Sequence, residues 1–151
     1  MSRFKHSFYA ASYLRPPLKA PRTVVQKAVK ALENVKYDVI VVRGISGLLF
    51  GSMLALRTGK KLAIVRKKTE TAHSSNAMEG FVGGRYLFVD DLIDTGETYS
   101  ATRKAFISAC RDARKKFRFV GCYLYDETDY NSQGPNYERG VYHPPAVCRK
   151  L

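Results

Sequence analysis

The chain has 151 residues, 45% of them apolar, which is enough to bury one real core but not two, so a single domain is expected over residues 1–151. With 26 Lys and Arg against 13 Asp and Glu it carries a net charge of +13, which points to anionic partners and leaves a small phosphorylated substrate and a nucleic acid both open. No apolar run approaches the ~20 residues needed to cross a bilayer; the basic start Met1-Ser2-Arg3-Phe4-Lys5-His6 leads into no signal-like apolar core; and the odd trio Cys110, Cys122 and Cys148 lacks zinc-site spacing, so a cytoplasmic chain with reduced thiols is expected.

In chain order, residues 1–22 read as an extended arm: aromatic residues (Phe4, Phe8, Tyr9, Tyr13) are followed by Arg15-Pro16-Pro17, which bars a continuing helix. A helix is expected from Thr23, a residue able to cap it, because Val24, Ala28, Ala31, Leu32 and Val35 recur at helical spacing. Residues 38–42, Asp-Val-Ile-Val-Val, form a short β-branched run closed by Arg43-Gly44, the pattern of a buried strand ending in a glycine turn. A second helix over residues 47–57 stops at Gly59, and residues 61–65 are strand-like again. The polar stretch of residues 67–84 predicts a long loop. A strand at 86–89, a helix at 98–113 and a strand at 117–124 complete an alternation that predicts an α/β domain with a mainly parallel sheet. Residues 125–151, with Tyr130, Tyr137 and Tyr142, read as an irregular tail.

The chemistry concentrates at the end of the strand at 86–89. In a parallel sheet, ligands bind beyond the carboxyl ends of the strands. There stand Asp90 and Asp91, two adjacent carboxylates that cannot both be buried without a hydroxyl, cation or water as partner. Asp94-Thr95-Gly96-Glu97-Thr98 then opens a helix, so free backbone N–H groups and hydroxyls can surround a phosphate, with Gly96 permitting close approach. Carboxylates suited to a sugar thus lie beside a cradle suited to its phosphate. Neither a Walker-type G-x-x-x-x-G-K-[ST] nor a G-x-G-x-x-G pattern occurs, so this is not a nucleotide site of those kinds.

The string from Leu87 to Thr98 closely resembles the phosphoribosyl pyrophosphate motif of the type I phosphoribosyltransferases. The resemblance extends over residues 38–124 and implies that family's fold: a mainly parallel sheet flanked by helices, with a small C-terminal hood over residues 125–151. Arg43-Gly44-Ile45-Ser46-Gly47 looks like the family's pyrophosphate loop. Arg66 and Lys67 resemble the basic residues delivered to the pyrophosphate, as in orotate and adenine enzymes, and the segment with His73 and Ser74 resembles the mobile loop. The resemblance implies transfer of a phosphoribosyl group to a nucleobase with release of pyrophosphate, Mg²⁺ as cofactor, and Asp90 and Asp91 on the ribose hydroxyls or on metal-bound water. A homodimer is implied in the same way.

Asp94 is similar to the carboxylate that handles the purine proton in hypoxanthine, guanine and xanthine enzymes, so purine salvage is the first expectation. Those enzymes carry a Lys at the end of the following strand, where this chain has Tyr125 and Asp126, so Tyr125 is expected either to stack on a base or to help close the hood. An orotate or unusual-base enzyme, and a regulatory protein that senses phosphoribosyl pyrophosphate and binds nucleic acid, stand as alternatives.

Overall fold

The computed structural model describes residues 15–67, 76–93, 95–125, 137–138 and 141–142, with residues 15, 16, 137, 138, 141 and 142 described through their backbone. Its elements are α1 (Arg15–Lys19), α2 (Pro21–Ala31), β1 (Val39–Arg43), α3 (Gly44–Thr58), β2 (Lys61–Val65), β3 (Met78–Gly80), β4 (Gly84–Asp90), α4 (Glu97–Asp112), β5 (Phe117–Leu124), β6 (Tyr137–Glu138) and β7 (Val141–Tyr142). The strands form one sheet in the order β3-β2-β1-β4-β5-β7-β6. Its centre, β2-β1-β4-β5, is parallel, and antiparallel strands complete both edges.

Alternation along the strands builds two cores, one on each face. On β1, Ile40 and Val42 turn toward Val25, Ala28, Phe50 and Leu54 of α2 and α3, joined by Leu87, Val89 and Tyr123 from the neighbouring strands. Val39 and Val41 turn the other way, toward Phe106 and Cys110 of α4, with Ala63, Val65 and Tyr86. Because successive strand side chains point to opposite faces, a strand covered by helices on both sides must be apolar at every position, and Val39 to Val42 are all buried. The result is a three-layer α/β structure, as the alternation of strands and helices predicts.

Close packing of α3 on β1 depends on the lack of a side chain at Gly51, where a Cβ would lie 2.4 Å from Val42 Cγ1. At the amino end of the sheet, Asp38 accepts from the Arg85 backbone N–H (2.8 Å), Nε (2.9 Å) and Nη2 (2.7 Å), pinning the entry of β1 to β4. The Arg85 guanidinium holds the Asp38 carboxyl well below the usual carboxylate range.

Five expectations need correction. Arg15-Pro16-Pro17 opens the short helix α1 instead of extending an arm: proline is excluded from helix interiors but tolerated in the first turn, where its missing N–H has no intrahelical partner. For the same reason α2 begins at Pro21, with Thr23 inside it and no side-chain cap. The third helix begins at Gly44, directly after β1, three residues before the expected 47. The long loop contains β3, which pairs antiparallel with β2, and the tail contributes β6 and β7, with Tyr142 opposite Cys122 on β5. Strands of two or three residues are too short for a period to register in sequence. Residues 1–14 of the expected arm lie outside the described residues. Cys110 and Cys122 are buried and neither is in a disulfide, and Cys148 lies outside the described residues.

Candidate functional site

Strand order places the site. From β1 the chain crosses through α3 to β2 on one side, whereas β4 lies on the other side of β1 and leads through α4 to β5. The direction of winding therefore reverses between β1 and β4, and a crevice opens beyond their carboxyl ends. A cavity of about 290 Å³ occupies this position, lined by Arg43, Ser46, Lys67, Asp90, Asp91, Thr95, Gly96 and Thr98, with Phe88, Leu92, Ile93 and Tyr99 supplying apolar surface.

Two helices begin at this crevice, and neither carries a side-chain cap at its N-cap residue. The N-cap of α3 is Arg43, in extended conformation, and that of α4 is Gly96, at φ 85°. The first amides of a helix have no intrahelical partner, and the helix dipole makes that end favourable for negative charge. One such amide, that of Glu97, is held by Thr95 Oγ1 at 3.3 Å. The cavity thus has an anion-attracting helix end at each side. Cationic side chains add to one of them. Arg43 Nε is buried and has no hydrogen-bond partner, a costly state for a polar atom unless a ligand supplies one. Lys67 stands over Gly44, whose φ is 70°; a Cβ there would meet Lys67 Cε at 3.0 Å and Nζ at 3.2 Å.

The two carboxylates lie between these ends. Asp90, the last residue of β4, is only 4% exposed. Its Oδ1 accepts from Ser46 Oγ at 2.8 Å and from the Asp91 N–H at 2.9 Å. Burial, and then the neighbouring Asp91 carboxyl, push Asp90 up to about 7, while the Ser46 hydroxyl acts in the opposite direction. A group so placed readily holds a proton near neutrality and gains from any ligand hydroxyl or cation that approaches it.

Of the residues singled out in the sequence, Arg43, Lys67, Asp90, Asp91, Thr95, Gly96 and Thr98 come together around this one cavity, with Gly44 beneath Lys67. Glu97 is exposed at the start of α4 and does not line it. Arg66 forms an ion pair with Glu79 and lines a neighbouring cavity of about 690 Å³ that shares Arg43. Tyr125 is 4% exposed, and its ring packs against Phe50 at 4.8 Å, so it belongs to the core under α3 and does not line this cavity. Asp94, His73 and Ser74 lie outside the described residues. Ser46 was not singled out by its residue type. The available signal was its place: a hydroxyl in the first turn after β1, on the side facing β4.

Among the described residues no group of three or more His, Cys, Asp and Glu side chains is arranged to hold a metal ion. Asp90 and Asp91 fit a different mode, in which a well-hydrated divalent ion arrives on a phosphate and meets one or two carboxylates directly or through water. Among the described residues no helix is long and apolar enough to cross a membrane.

A parallel sheet with its reversal point at two helix ends and an acidic pair defines the class, and the chain has the fold of the type I phosphoribosyltransferases. The crystal structure of adenine phosphoribosyltransferase from Thermoanaerobacter pseudethanolicus superposes with a TM-score of 0.57, covering 91% of this chain and 89% of that one at 22% identity. By sequence, the chain is 32% identical over 102 residues to adenine phosphoribosyltransferase of the same organism (57% of this chain, 59% of the relative). It is 32% identical over 77 residues to orotate phosphoribosyltransferase of Sulfurisphaera tokodaii (50% and 40%). The chain spans about half the length of the curated relatives it matches. No protein-family model matches it. These relatives accord with the orotate-like and adenine-like features of the sequence, and neither is named as a hypoxanthine, guanine or xanthine enzyme.

Proposed function

We propose that the chain is a phosphoribosyltransferase, which binds phosphoribosyl pyrophosphate across the β1/β4 crevice and transfers its phosphoribosyl group to a nucleobase nitrogen. The observation that carries this reading is the pair of uncapped helix ends flanking Asp90 and Asp91. Phosphoribosyl pyrophosphate has the matching charge pattern: a diphosphate at one end, a monophosphate at the other and vicinal hydroxyls between them. In this reading the α4 end, with Thr95, Gly96 and Thr98, takes the 5-phosphate. The α3 end, with Arg43 and Lys67, takes the diphosphate, and Asp90 and Asp91 take the ribose hydroxyls.

The bond from the anomeric carbon to the diphosphate oxygen breaks as the bond to the base nitrogen forms, and positive charge develops on the sugar between them. Arg43, Lys67 and the α3 amides stabilise the negative charge gathering on the leaving group, while Asp90 and Asp91 lie close to the developing positive charge. Mg²⁺, brought in on the diphosphate and met by Asp90 and Asp91, would neutralise part of the leaving group's charge. The proton released by the base nitrogen goes to Asp94.

Two features bear on the acceptor. Asp94 favours a purine, and the absence of a Lys at the end of β5 disfavours a 6-oxopurine. The named relatives are adenine and orotate enzymes. Adenine is the acceptor these lines share, and it leads the proposal, with orotate second. The test is pyrophosphate release from phosphoribosyl pyrophosphate and Mg²⁺ across adenine, orotate, hypoxanthine, guanine and xanthine. Adenine-dependent turnover is expected, and an absence of base-dependent turnover with all five overturns the reading. Asp94→Asn is expected to cut kcat by about 100-fold, the usual scale for loss of a general base, with the Kd for phosphoribosyl pyrophosphate changed little. Equal losses in both would remove Asp94 from that role.

A further inference from the structure

Ser46 joins the two halves of the cavity. It is the third residue of α3, so its own N–H belongs to the free first-turn set that faces an anion. Its side chain points elsewhere: Oγ donates to Asp90 Oδ1 at 2.8 Å. Its carbonyl accepts from Tyr125 Oη at 3.4 Å, and the Tyr125 N–H in turn donates to the Asp90 carbonyl at 3.2 Å. Ser46 is therefore linked to Asp90 twice, through the carboxylate directly and through the main chain by way of Tyr125. The next residue leaves little slack, because a Cβ on Gly47 would lie 2.9 Å from the Val89 carbonyl oxygen and 3.5 Å from Asp90 Oδ1. The first turn of α3 is thus seated directly on the end of β4.

The Asp90 carboxylate has two oxygens and a short side chain, and only the oxygen left free by Ser46 and the Asp91 amide can be presented to a ligand. A hydrogen bond from a hydroxyl on a helix turn that cannot shift fixes which oxygen that is. We propose that Ser46 is a positioning residue that holds Asp90 in the orientation that meets the ribose hydroxyls and ties this carboxylate to the diphosphate-binding turn of α3. Sugar and leaving group are then gripped as one unit. This assignment rests on the phosphoribosyltransferase reading. It also gives the buried Tyr125 a place in the site: Tyr125 supports the supporter.

The experiment compares wild type, Ser46→Ala and Ser46→Thr. Calorimetry gives the affinity for phosphoribosyl pyrophosphate and, separately, for inorganic pyrophosphate. Thermal unfolding of each variant and steady-state kcat and KM with the base that wild type accepts complete the set. Ser46→Ala is expected to weaken phosphoribosyl pyrophosphate binding or lower kcat by about tenfold, the scale of one hydrogen bond to an ionised group. Pyrophosphate affinity should stay within about twofold of wild type, since the α3 amides and cations are intact. Ser46→Thr, which keeps the hydroxyl, should recover most of the loss. Ser46→Ala with wild-type affinity and turnover overturns the assignment. So does a parallel loss of pyrophosphate binding and melting temperature that Ser46→Thr fails to recover, because that pattern marks a purely structural role. A wild-type chain that neither binds phosphoribosyl pyrophosphate nor turns it over overturns the functional reading and the role of Ser46 with it, an outcome visible before any variant is made.

Discussion

Asp90 is the residue at which stability and binding oppose each other. Its folded carboxyl titrates near 7, whereas an unfolded Asp titrates at about 3.9. The folded state therefore binds the proton more tightly, and the stability this contributes is fully present below about pH 4 and lost as the pH rises toward 7. Asp90→Asn removes the titration. Without ligand, the wild-type melting temperature should fall between pH 4 and 7 relative to that of Asp90→Asn, by the equivalent of about 2–4 kcal/mol. The same variant should lose phosphoribosyl pyrophosphate binding. Parallel melting curves across that pH range would show that the carboxyl is better solvated than its burial implies. The pair Asp90-Asp91 was legible in sequence because adjacent acids after an apolar run are conspicuous. What was not legible was that Asp90 is the buried member of the pair and accepts from Ser46, a residue 44 positions earlier that only the fold brings into contact.

The elements themselves could mostly be read because the central strands are built on short, mostly apolar runs and the helices keep their spacing. Residues 61–65 and 117–124 have the boundaries expected from sequence. The misses cluster where helix starts are set by backbone instead of by a capping side chain: α2 starts on Pro21, α3 on a glycine with positive φ, and α4 after another. A sequence reading that looks for Ser, Thr or Asp caps places such starts too late. At α3 and α4 the missing cap is also what leaves amides for a ligand, so the error in the boundary and the presence of the site have one cause. Tyr125 stayed open between two readings for a different reason: an aromatic residue at a strand end looks the same in sequence whether it faces the crevice or the core. The α3–β1 contact gives a test at this scale. Gly51→Ala drives a Cβ into Val42 and should destabilise by about 1–3 kcal/mol in denaturant unfolding. If it costs nothing, α3 can shift on the sheet, and the rigid seating of its first turn on β4 is lost as an argument.

For the whole molecule, the net charge of +13 raises the local concentration of any anion and makes encounter depend on ionic strength. Affinity for phosphoribosyl pyrophosphate should therefore fall as salt rises from about 0.05 to 0.5 M, over which the screening length shortens from more than 10 Å to a few Å, while kcat at saturation stays nearly constant. A salt-independent affinity would assign the charge to some other purpose. Nucleic acid is the competitor to examine, and an electrophoretic shift that persists at near-physiological salt would point to it.

The two proposed anion holds at the crevice are made largely of main chain, the opening turns of α3 and α4. A hold of that kind is inherited with the course of the backbone and survives replacement of most side chains around it. In the proposed reading, preference for one base over another has no such protection and rests on individual side chains such as Asp94. On that reading, chains built on this plan can drift in what they accept while keeping what they donate, so a change of acceptor by laboratory selection should come from side-chain substitutions around the crevice that leave these two opening turns in place.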